Sequence, residues 1–407
     1  MSPKPEILAP AGSPETLAAA LRSGADAVYV GGPMLQLRAG SAGFPLERLA
    51  EAAGACHAQG RRLYVAVNAF PTQREIGLLP DYAQALRELG ADAVIAADLG
   101  VIATFRRAAP ELPIHVSTQA NCLNAASAGV YADLGCSRVV LGREISLEEI
   151  RALRDCLPAD LELEAFVHGA MCMAYSGRCM LSAYLTGRSA NHGGCAQPCR
   201  WNYHLMEEKR PGEFFPIEED GGGTTLLSSC DLNCLDFVDQ LLDAGVTSLK
   251  IEGRMKSPYY VATVVNAYRR RIDGIPRGDA TPESVALLQR ELHAVSHRAY
   301  SSGFYFGELK RRAPDDGIYR QDCAFVGTVL ERLPGGRAVV ELRNRIQAGE
   351  VLEVVSPNAL GLRFAVEHLT DADGQPLDEA AVPMARYELD VPEVVQAGDL
   401  LRRRVQK

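Results

Sequence analysis

Six of the eleven cysteines of this chain lie between residues 172 and 234, in a segment rich in Gly, Ser and Asn. Thiolates are soft ligands that suit zinc or an iron–sulfur cluster. In an intracellular chain, cysteines that cluster in a loop-rich segment favour a metal site over disulfides. The sequence therefore predicts a thiolate-held metal centre, with candidate ligands Cys172, Cys179, Cys195, Cys199, Cys230 and Cys234.

The spacing of these cysteines bears on which metal they would hold. Cys172 and Cys179 are seven residues apart, and Cys195 and Cys199 are four apart. Structural zinc sites usually pair cysteines about two to four residues apart. The wider gap favours an iron–sulfur cluster, with zinc or no metal as alternatives. Cys230 and Cys234 are alternates for one of the four positions, and Cys234 occupies an apolar helix position that also suits the core.

Charged residues stand close to the cysteines and at the end of another apolar segment. His168 ends a strand-like run just before Cys172, where it could transfer protons or orient a ligand. Lys250, Glu252 and Arg254 alternate along a strand and its exit. The two cations suit a carboxylate or phosphate, because Arg offers a bidentate fork. Glu252 is the second catalytic candidate.

Further polar residues end other apolar runs: Asn68, Asp98, Gln119 and Arg143. If these runs are parallel strands, their carboxyl ends meet at one face, and the side chains there line a site. We therefore expect Asn68, Gln119 and Arg143 to bind substrate together with Lys250 and Arg254. Simple loop polarity is the alternative interpretation of each.

The elements that must position these residues follow a regular alternation of apolar strands and amphipathic helices. Glycine recurs at a helix end just before several of the strands, where it permits a left-handed turn. Apolar runs of this kind suit a parallel sheet covered by helices. The predicted strands are 6–12, 26–32, 62–68, 92–98, 113–119, 137–144, 161–169 and 248–254. Eight such units predict an α/β fold, a (β/α)8 TIM-type barrel. An open doubly wound sheet is disfavoured because the first strand lacks a GxGxxG turn.

The domain organisation follows from where this alternation stops. Residues 1–275 are predicted to form the barrel domain, with the cysteine-rich insertion at 168–228. A helical connector is expected over 276–319. From 320 to 407, short alternating strands with Gly turns predict a small β-barrel domain.

Composition narrows the class of protein. The net charge of −9 argues against broad nucleic-acid affinity, although basic runs at 268–277, 309–312 and 401–404 leave room for local contacts. The sequence contains no apolar run of about 18 residues, so we expect no membrane span. The first residues read as a strand, which predicts a cytoplasmic protein.

The chain resembles the collagenase-like "peptidase" family, whose catalytic mechanism is unassigned. The signature is EAFVHGAMCMAYSGRCMLS (164–182), with further matches at 7–31, 193–201, 207–224 and 248–262. The family's closest branches to this chain are oxygen-independent hydroxylases that carry a [4Fe–4S] cluster and use prephenate as hydroxyl donor. The segment 207–220 and the added β domain resemble the branch that converts the wobble uridine of tRNA to 5-hydroxyuridine.

The resemblance implies tRNA and prephenate as partners, no membrane, and Cys172, Cys179, Cys195 and Cys199 as cluster ligands. The fourth ligand is the one that the resemblance fixes least, because related chains often have Lys where this one has Cys230. It also implies rivals: a hydroxylase of a cytidine in 23S ribosomal RNA, or a collagenase-like peptidase. No HExxH helix, serine nucleophile elbow or cysteine protease signature supports the peptidase. An RNA-binding module with a purely structural cluster is the non-enzyme alternative. The oligomeric state is not predictable.

Overall fold

The structure is a computed structural model that describes residues 4–37, 43–171, 179–190, 193–201, 230–307 and 319–405. The chain divides into two compact units. The first contains Met1–Leu17, Ala25–Lys256 and Arg298–Tyr319, and the second contains Ala18–Gly24, Ser257–His297 and Arg320–Lys407.

Eight parallel strands of the first unit form a closed barrel. They are β1 Glu6–Pro10, β2 Ala27–Gly31, β3 Arg62–Val67, β4 Ala93–Ala96, β5 Ile114–Val116, β6 Arg138–Val140, β7 Glu162–Ala170 and β9 Ser248–Ile251. Closure comes from β9, which pairs in parallel with both β1 and β7. The predicted TIM-type barrel is therefore confirmed, and the doubly wound alternative, which has open edges, is wrong.

Helices follow the barrel strands in chain order. They are α1 Pro14–Arg22, α2 Leu46–His57, α3 Gln73–Ile76, α4 Leu79–Glu88, α5 Leu99–Ala108, α6 Ala125–Asp133, α7 Leu147–Asp155, α8 Leu181–Thr186, α9 Val238–Asp243, α10 Pro258–Gly274 and α11 Pro282–His293. Side-chain caps start several of them. Ser146 and Glu149 form a capping box at α7, and Asp98 accepts from the amide of Val101 at the start of α5. Asp98 thus has a structural role. Within the described ranges, no helix is long and apolar enough to cross a membrane.

The insertion departs from the end of β7. On its return, β8 (Asp231–Asn233) pairs antiparallel with β7, placing Asp231 opposite Ala170 and Asn233 opposite His168. The short strand β10 (Tyr300–Ser301) pairs with β8. The segment is fastened by Arg298, which binds the buried Asp231 carboxylate through Nε at 3.1 Å and Nη2 at 2.8 Å. Residues 172–178, 191–192 and 202–229 of the insertion are outside the described residues.

In the second unit, a seven-stranded antiparallel sheet forms the predicted C-terminal β domain as a half-barrel. Its core is built by alternating apolar residues such as Val326, Val340 and Leu401. The strands of this region are β11 Cys323–Arg332, β12 Arg337–Leu342, β13 Ile346–Gln347, β14 Val351–Val355, β15 Arg363–Ala365, β16 Leu369–Thr370, β17 Glu379–Ala380, β18 Arg386–Asp390 and β19 Leu400–Arg404. Strands β13 and β17 form a separate two-stranded sheet.

Two of the three basic runs are largely built into this unit. Arg402 is 1% exposed and donates to Glu353 at 3.0 Å and to Glu291 at 2.7 Å. Arg269 and Arg271 are also buried. These arginines are internal ion-pair or core residues and therefore do not offer the surface for nucleic acid that the sequence left open. The run at 309–312 lies outside the described residues.

Candidate active site

A pocket opens at the carboxyl ends of the barrel strands, where barrel enzymes carry their chemistry. It encloses about 490 Å³ of empty space, counted to its open mouth. All five predicted substrate-binding residues and Glu252 line it, so the structure brings together six residues that are far apart in sequence. The lining consists of Tyr29, Leu37, Ala66, Asn68, Ile95, Ser117, Thr118, Gln119, Arg143, Phe166, Lys250, Glu252 and Arg254.

Arg143 forms one wall, directly after β6. Its guanidinium carbon lies 4.0 Å from the centroid of the Phe166 ring, a cation–π contact. One guanidinium nitrogen, Nη1, donates to the carbonyl oxygen of Ala170 at 2.8 Å. The Nε atom is buried and has no hydrogen-bond partner among the described residues. A buried donor without a partner is costly, so this atom marks where a ligand oxygen could bind.

Asn68 and Gln119 contribute two uncharged polar side chains to the pocket lining. Ser117 caps a short 3-10 turn at Thr118–Ala120, and its Oγ accepts from the amide of Gln119 and from Nδ2 of Asn68, each at 3.3 Å. The oxygens Oδ1 of Asn68 and Oε1 of Gln119 are buried and, within the described part of the chain, accept no hydrogen bond. Both amides therefore offer acceptors to a ligand hydroxyl or N–H group.

Lys250 projects from β9 and is 5% exposed. Its Nζ atom lies 2.7 Å from Oε1 of Glu164 on β7. The same atom lies 4.8 Å from the ring centroid of Tyr29 and 5.5 Å from that of Phe166. An ion pair and two aromatic faces thus fix the position of this cation at the base of the pocket.

Glu252 follows β9 and is half-buried. Its carboxylate accepts a hydrogen bond from the hydroxyl of Tyr29 at 3.2 Å, and that hydroxyl also lies 3.1 Å from the carbonyl oxygen of Ile251. A carboxylate held in this way at a pocket wall can act as a general acid or base. Its catalytic role stays a prediction.

Arg254 lines the pocket, and its guanidinium packs closely against the backbone of Gly31. It is 6% exposed, and a Cβ added at Gly31 would lie 2.8 Å from Nη1 of Arg254 and 1.8 Å from Oε1 of Gln36. At Gly12, an added Cβ would lie 2.1 Å from the carbonyl oxygen of Arg254. Arg254 can therefore occupy this position only because the end of β2 and the turn after β1 carry glycines without side chains.

His168, the other predicted catalytic residue, lies deeper. It is 1% exposed, and Nε2 lies 3.4 Å from the hydroxyl of Tyr300. Burial, followed by the nearby Asp231 carboxylate, raises the pKa of Tyr300. Within the described residues His168 does not line the pocket. It lies at the root of the cysteine-rich segment, and its role in proton transfer stays a prediction.

Sequence reasoning missed Tyr29, Phe166 and Ser117 in the pocket, and Glu164 beneath it. Each lies in or next to an apolar strand and reads as a core position. Glu164 alone carried a signal, because an acid inside a strand buried on both faces needs a partner.

The predicted metal ligands differ in exposure from most other cysteines. Cys179, Cys195, Cys199 and Cys230 are partly exposed, and Cys172 lies outside the described residues. Cys230 directly precedes Asp231, the partner of Ala170, so it lies where the cysteine-rich segment leaves β7. Thiols that are accessible in an irregular segment fit a thiolate-held centre chemically. Within the described ranges, no three His, Cys, Asp or Glu side chains form a group that could hold a metal ion.

Cys234 is the weaker of the two alternates. It is 0% exposed, and burial raises the pKa of its thiol well above the ordinary value. Burial likewise raises the pKa of the Cys122 and Cys136 thiols to about 11. A thiolate is disfavoured at such positions, so Cys230 is the better substitute for a fourth ligand.

The pocket as a whole is cationic. Arg143, Lys250 and Arg254 contribute three positive charges, and Glu252 contributes one carboxylate. Groups of this kind can form charge-assisted hydrogen bonds to an anion, and the two unpartnered amide oxygens can accept from a hydroxyl or N–H group.

Fold and site thus define a TIM-type barrel with a pocket lined by three cationic side chains, beside a cysteine-rich insertion. The chain belongs to peptidase family U32. The model of that family matches residues 12–314, and the model of its C-terminal domain matches residues 321–402.

Relatives of this chain carry names that refer to the modification of different RNAs. The chain is 36% identical to tRNA hydroxylation protein P of Escherichia coli, over 98% of this chain and 97% of that protein. It is 35% identical to tRNA hydroxylation protein P1 of Bacillus subtilis, over 98% of this chain and 95% of that protein. It is also 36% identical to 23S rRNA 5-hydroxycytidine C2501 synthase of Escherichia coli, over 82% of this chain and 48% of that protein.

Proposed function

We propose that this protein is a cytoplasmic RNA-modifying hydroxylase that converts the wobble uridine of tRNA to 5-hydroxyuridine without dioxygen. The hydroxyl donor is prephenate, and a [4Fe–4S] cluster is the cofactor. The observation that carries the proposal is the cationic pocket of Arg143, Lys250 and Arg254 at the catalytic face of the barrel, beside the cysteine-rich insertion. The near-full-length similarity to the tRNA hydroxylation proteins supports the choice of tRNA.

Prephenate suits the pocket because it carries two carboxylates and a hydroxyl. The buried Nε of Arg143 and the guanidinium of Arg254 can bind carboxylate oxygens, and Lys250 supplies a further positive charge. The amide oxygens of Asn68 and Gln119 can accept a hydrogen bond from the hydroxyl group of the donor.

The reaction is a two-electron oxidation of the base. The C5–H bond of uridine breaks and a C5–O bond forms, while the C–O bond of the donor breaks. The two electrons that the base loses pass to the donor carbon, which gains a proton in place of its hydroxyl and so balances the proton released from C5, and dioxygen is not needed. Glu252 lines the pocket and can accept or return a proton there. His168 can transfer a proton beside the cysteine-rich insertion.

Cys172, Cys179, Cys195 and Cys199 would hold the cluster, with Cys230 as the alternate for the fourth position. When bound, the cluster supplies redox or Lewis-acid chemistry at the mouth of the barrel. The protein's own contribution is to position donor and base and to exclude water from them.

The uridine must leave its stack to reach a pocket of this depth. Trp201, at the rim of the cysteine-rich segment, is 43% exposed and offers a stacking surface for a base. Tyr203 and the side chain of Arg200 are further candidate RNA contacts, and both lie outside what the structure describes.

The test is mass spectrometry of nucleosides from a bacterial strain that lacks its own tRNA hydroxylases, with and without this chain, grown with and without dioxygen. We expect 5-hydroxyuridine derivatives in tRNA under both conditions, and their loss when prephenate synthesis is blocked. Unchanged tRNA would contradict the proposal. Hydroxycytidine appearing in 23S ribosomal RNA would favour the second hydroxylase activity, and cleavage of gelatin by the purified protein would favour a peptidase.

A further inference from the structure

We infer that Glu164, buried inside the barrel beneath the pocket, is a positioning residue that holds Lys250 in place for anion binding. The inference deepens the proposed function, because it rests on an anionic donor binding in the pocket. Glu164 does not line the pocket within the described residues, and it acts through the one oxygen that it shares with Lys250.

The two oxygens of Glu164 have separate partners. Oε2 accepts from Nη1 of Arg138 at 3.0 Å and lies 3.2 Å from the hydroxyl oxygen of Ser248, whose single proton is shared with Glu6. Oε1 accepts from Nζ of Lys250 at 2.7 Å. Arg138 and Ser248 therefore orient the carboxylate, and its remaining oxygen sets where the Lys250 ammonium lies.

Arg138 is itself fixed from below. It is 1% exposed and also donates from Nη1 to Oε1 of Glu6 at 2.6 Å. Glu6 in turn accepts from the hydroxyl of Tyr64 at 2.7 Å and from the hydroxyl of Ser248 at 2.9 Å. Such a network resists displacement, because moving one member leaves a buried charge without its partner.

The buried charges of this network are unusual for the interior of a barrel. The interior of a TIM barrel is ordinarily filled by branched apolar side chains, and buried ion pairs are weak sources of stability. Of this network, Lys250 is the member that lines the pocket. A cation held in advance loses little side-chain entropy when an anion binds, which raises affinity. Positioning of Lys250 therefore explains these buried charges better than a contribution to stability does.

Glu6 provides a matched control. Like Glu164 it is buried, and it contacts the same Arg138 nitrogen and the same Ser248 hydroxyl. Its other partners are Arg62 and Tyr64, and neither of these residues lines the pocket. Glu6→Gln therefore disturbs the network as Glu164→Gln does, without removing the contact to Lys250.

The first experiment measures prephenate binding to the purified full chain by calorimetry, with the melting temperature of each variant recorded. We expect Glu164→Gln to weaken binding about tenfold or more, and Glu6→Gln to leave it within about twofold. In the Lys250→Met background, Glu164→Gln should cause no further loss, because its effect passes through the lysine. Equal losses in the two single variants, or an additive double variant, would overturn the inference.

The second experiment needs neither RNA nor prephenate. Cyanate modifies lysine amines, and peptide mass spectrometry gives the rate at Lys250. Without its carboxylate, a buried ammonium is disfavoured, so we expect Glu164→Gln to speed the modification of Lys250 about fivefold or more and Glu6→Gln to leave it unchanged. Equal rates would overturn the positioning role, whatever the tRNA assay shows. If Glu164→Gln does not fold, Glu164→Asp keeps a buried carboxylate but draws both oxygens back, so Lys250 should still react faster than in the matched Glu6→Asp variant, and equal rates would again overturn the inference.

Discussion

Nη1 of Arg143 donates to the carbonyl oxygen of Ala170 at 2.8 Å. Ala170 is the last residue of β7, two residues before the first cysteine of the insertion. A pocket cation and the start of the predicted cluster segment thus share one hydrogen bond. A pocket cation therefore helps to fix the strand end from which the cysteine-rich segment departs.

Arg143→Lys should lower hydroxylation of tRNA about tenfold or more, because lysine keeps the charge but loses the planar fork and the stacking on Phe166. The measurement is the amount of 5-hydroxyuridine per tRNA in complemented cells. Arg151→Lys, at an exposed position of α7, is the control and should behave as wild type. Full modification by the Arg143 variant would show that the guanidinium is dispensable.

Gly31→Ala should abolish most activity while leaving the protein folded. The added Cβ collides with the ends of two flexible side chains, Gln36 and Arg254, which can shift, but Arg254 then leaves its place in the pocket. Activity and melting temperature should therefore separate.

Gly54→Ala is the control for that substitution. It lies within α2, where an added Cβ meets no atom within 4 Å. Alanine there should leave activity intact and stabilise the helix by about 0.5–1 kcal/mol, since glycine is the poorer helix former. An active Gly31→Ala protein would contradict the tailored position of Arg254.

Asp231→Asn should destabilise the protein by about 3–5 kcal/mol near neutral pH, because it leaves the buried Arg298 without its carboxylate. Burial by itself would raise the pKa of Asp231, but the charge and hydrogen bonds of Arg298 outweigh it, so the folded-state pKa is lowered. The stabilisation is therefore present above the unfolded pKa of about 3.9 and disappears as the pH falls through the folded value.

Urea unfolding at several pH values checks this sign. The gap between wild type and Asp231→Asn should be largest near neutrality and should narrow as the pH falls below the unfolded pKa of about 3.9 and through the lowered folded-state value. Asp160→Asn, at an exposed loop position, should show no gap at any pH. A gap that widens in acid would be inconsistent with a lowered pKa.

Serine variants of the cysteines should sort into two groups after anaerobic purification. Cys172→Ser, Cys179→Ser, Cys195→Ser and Cys199→Ser should lose iron, sulfide and visible absorbance. Cys234→Ser should retain them because that thiol is fully buried and its pKa is raised, and the exposed Cys156→Ser should retain them because Cys156 is not a predicted ligand. If Cys230→Ser loses iron and Cys199→Ser keeps it, the fourth ligand is Cys230. A colourless protein that contains zinc would refute the iron–sulfur assignment.

The barrel and the meeting of its polar strand ends follow from local sequence patterns. Apolar runs with the spacing of parallel strands leave few alternatives, and the carboxyl ends of such strands share one face. For this reason the sequence alone groups Asn68, Gln119 and Arg143 with Lys250. The capping box at Ser146 was equally local, because its partners are three residues apart.

Which charged side chains are internal depends on contacts between residues that are distant in sequence. Arg402 lies in a basic run that reads as surface, yet Glu291 and Glu353, distant in sequence, neutralise it in the interior. Glu164 and Arg138 read as isolated charges within strands, and their pairing depends on the register of β6 against β7 and on β9 closing the barrel. Ion pairs between distant residues follow from three-dimensional packing and leave no local pattern. The support of Lys250 by Glu164 could therefore be found only once the barrel was closed.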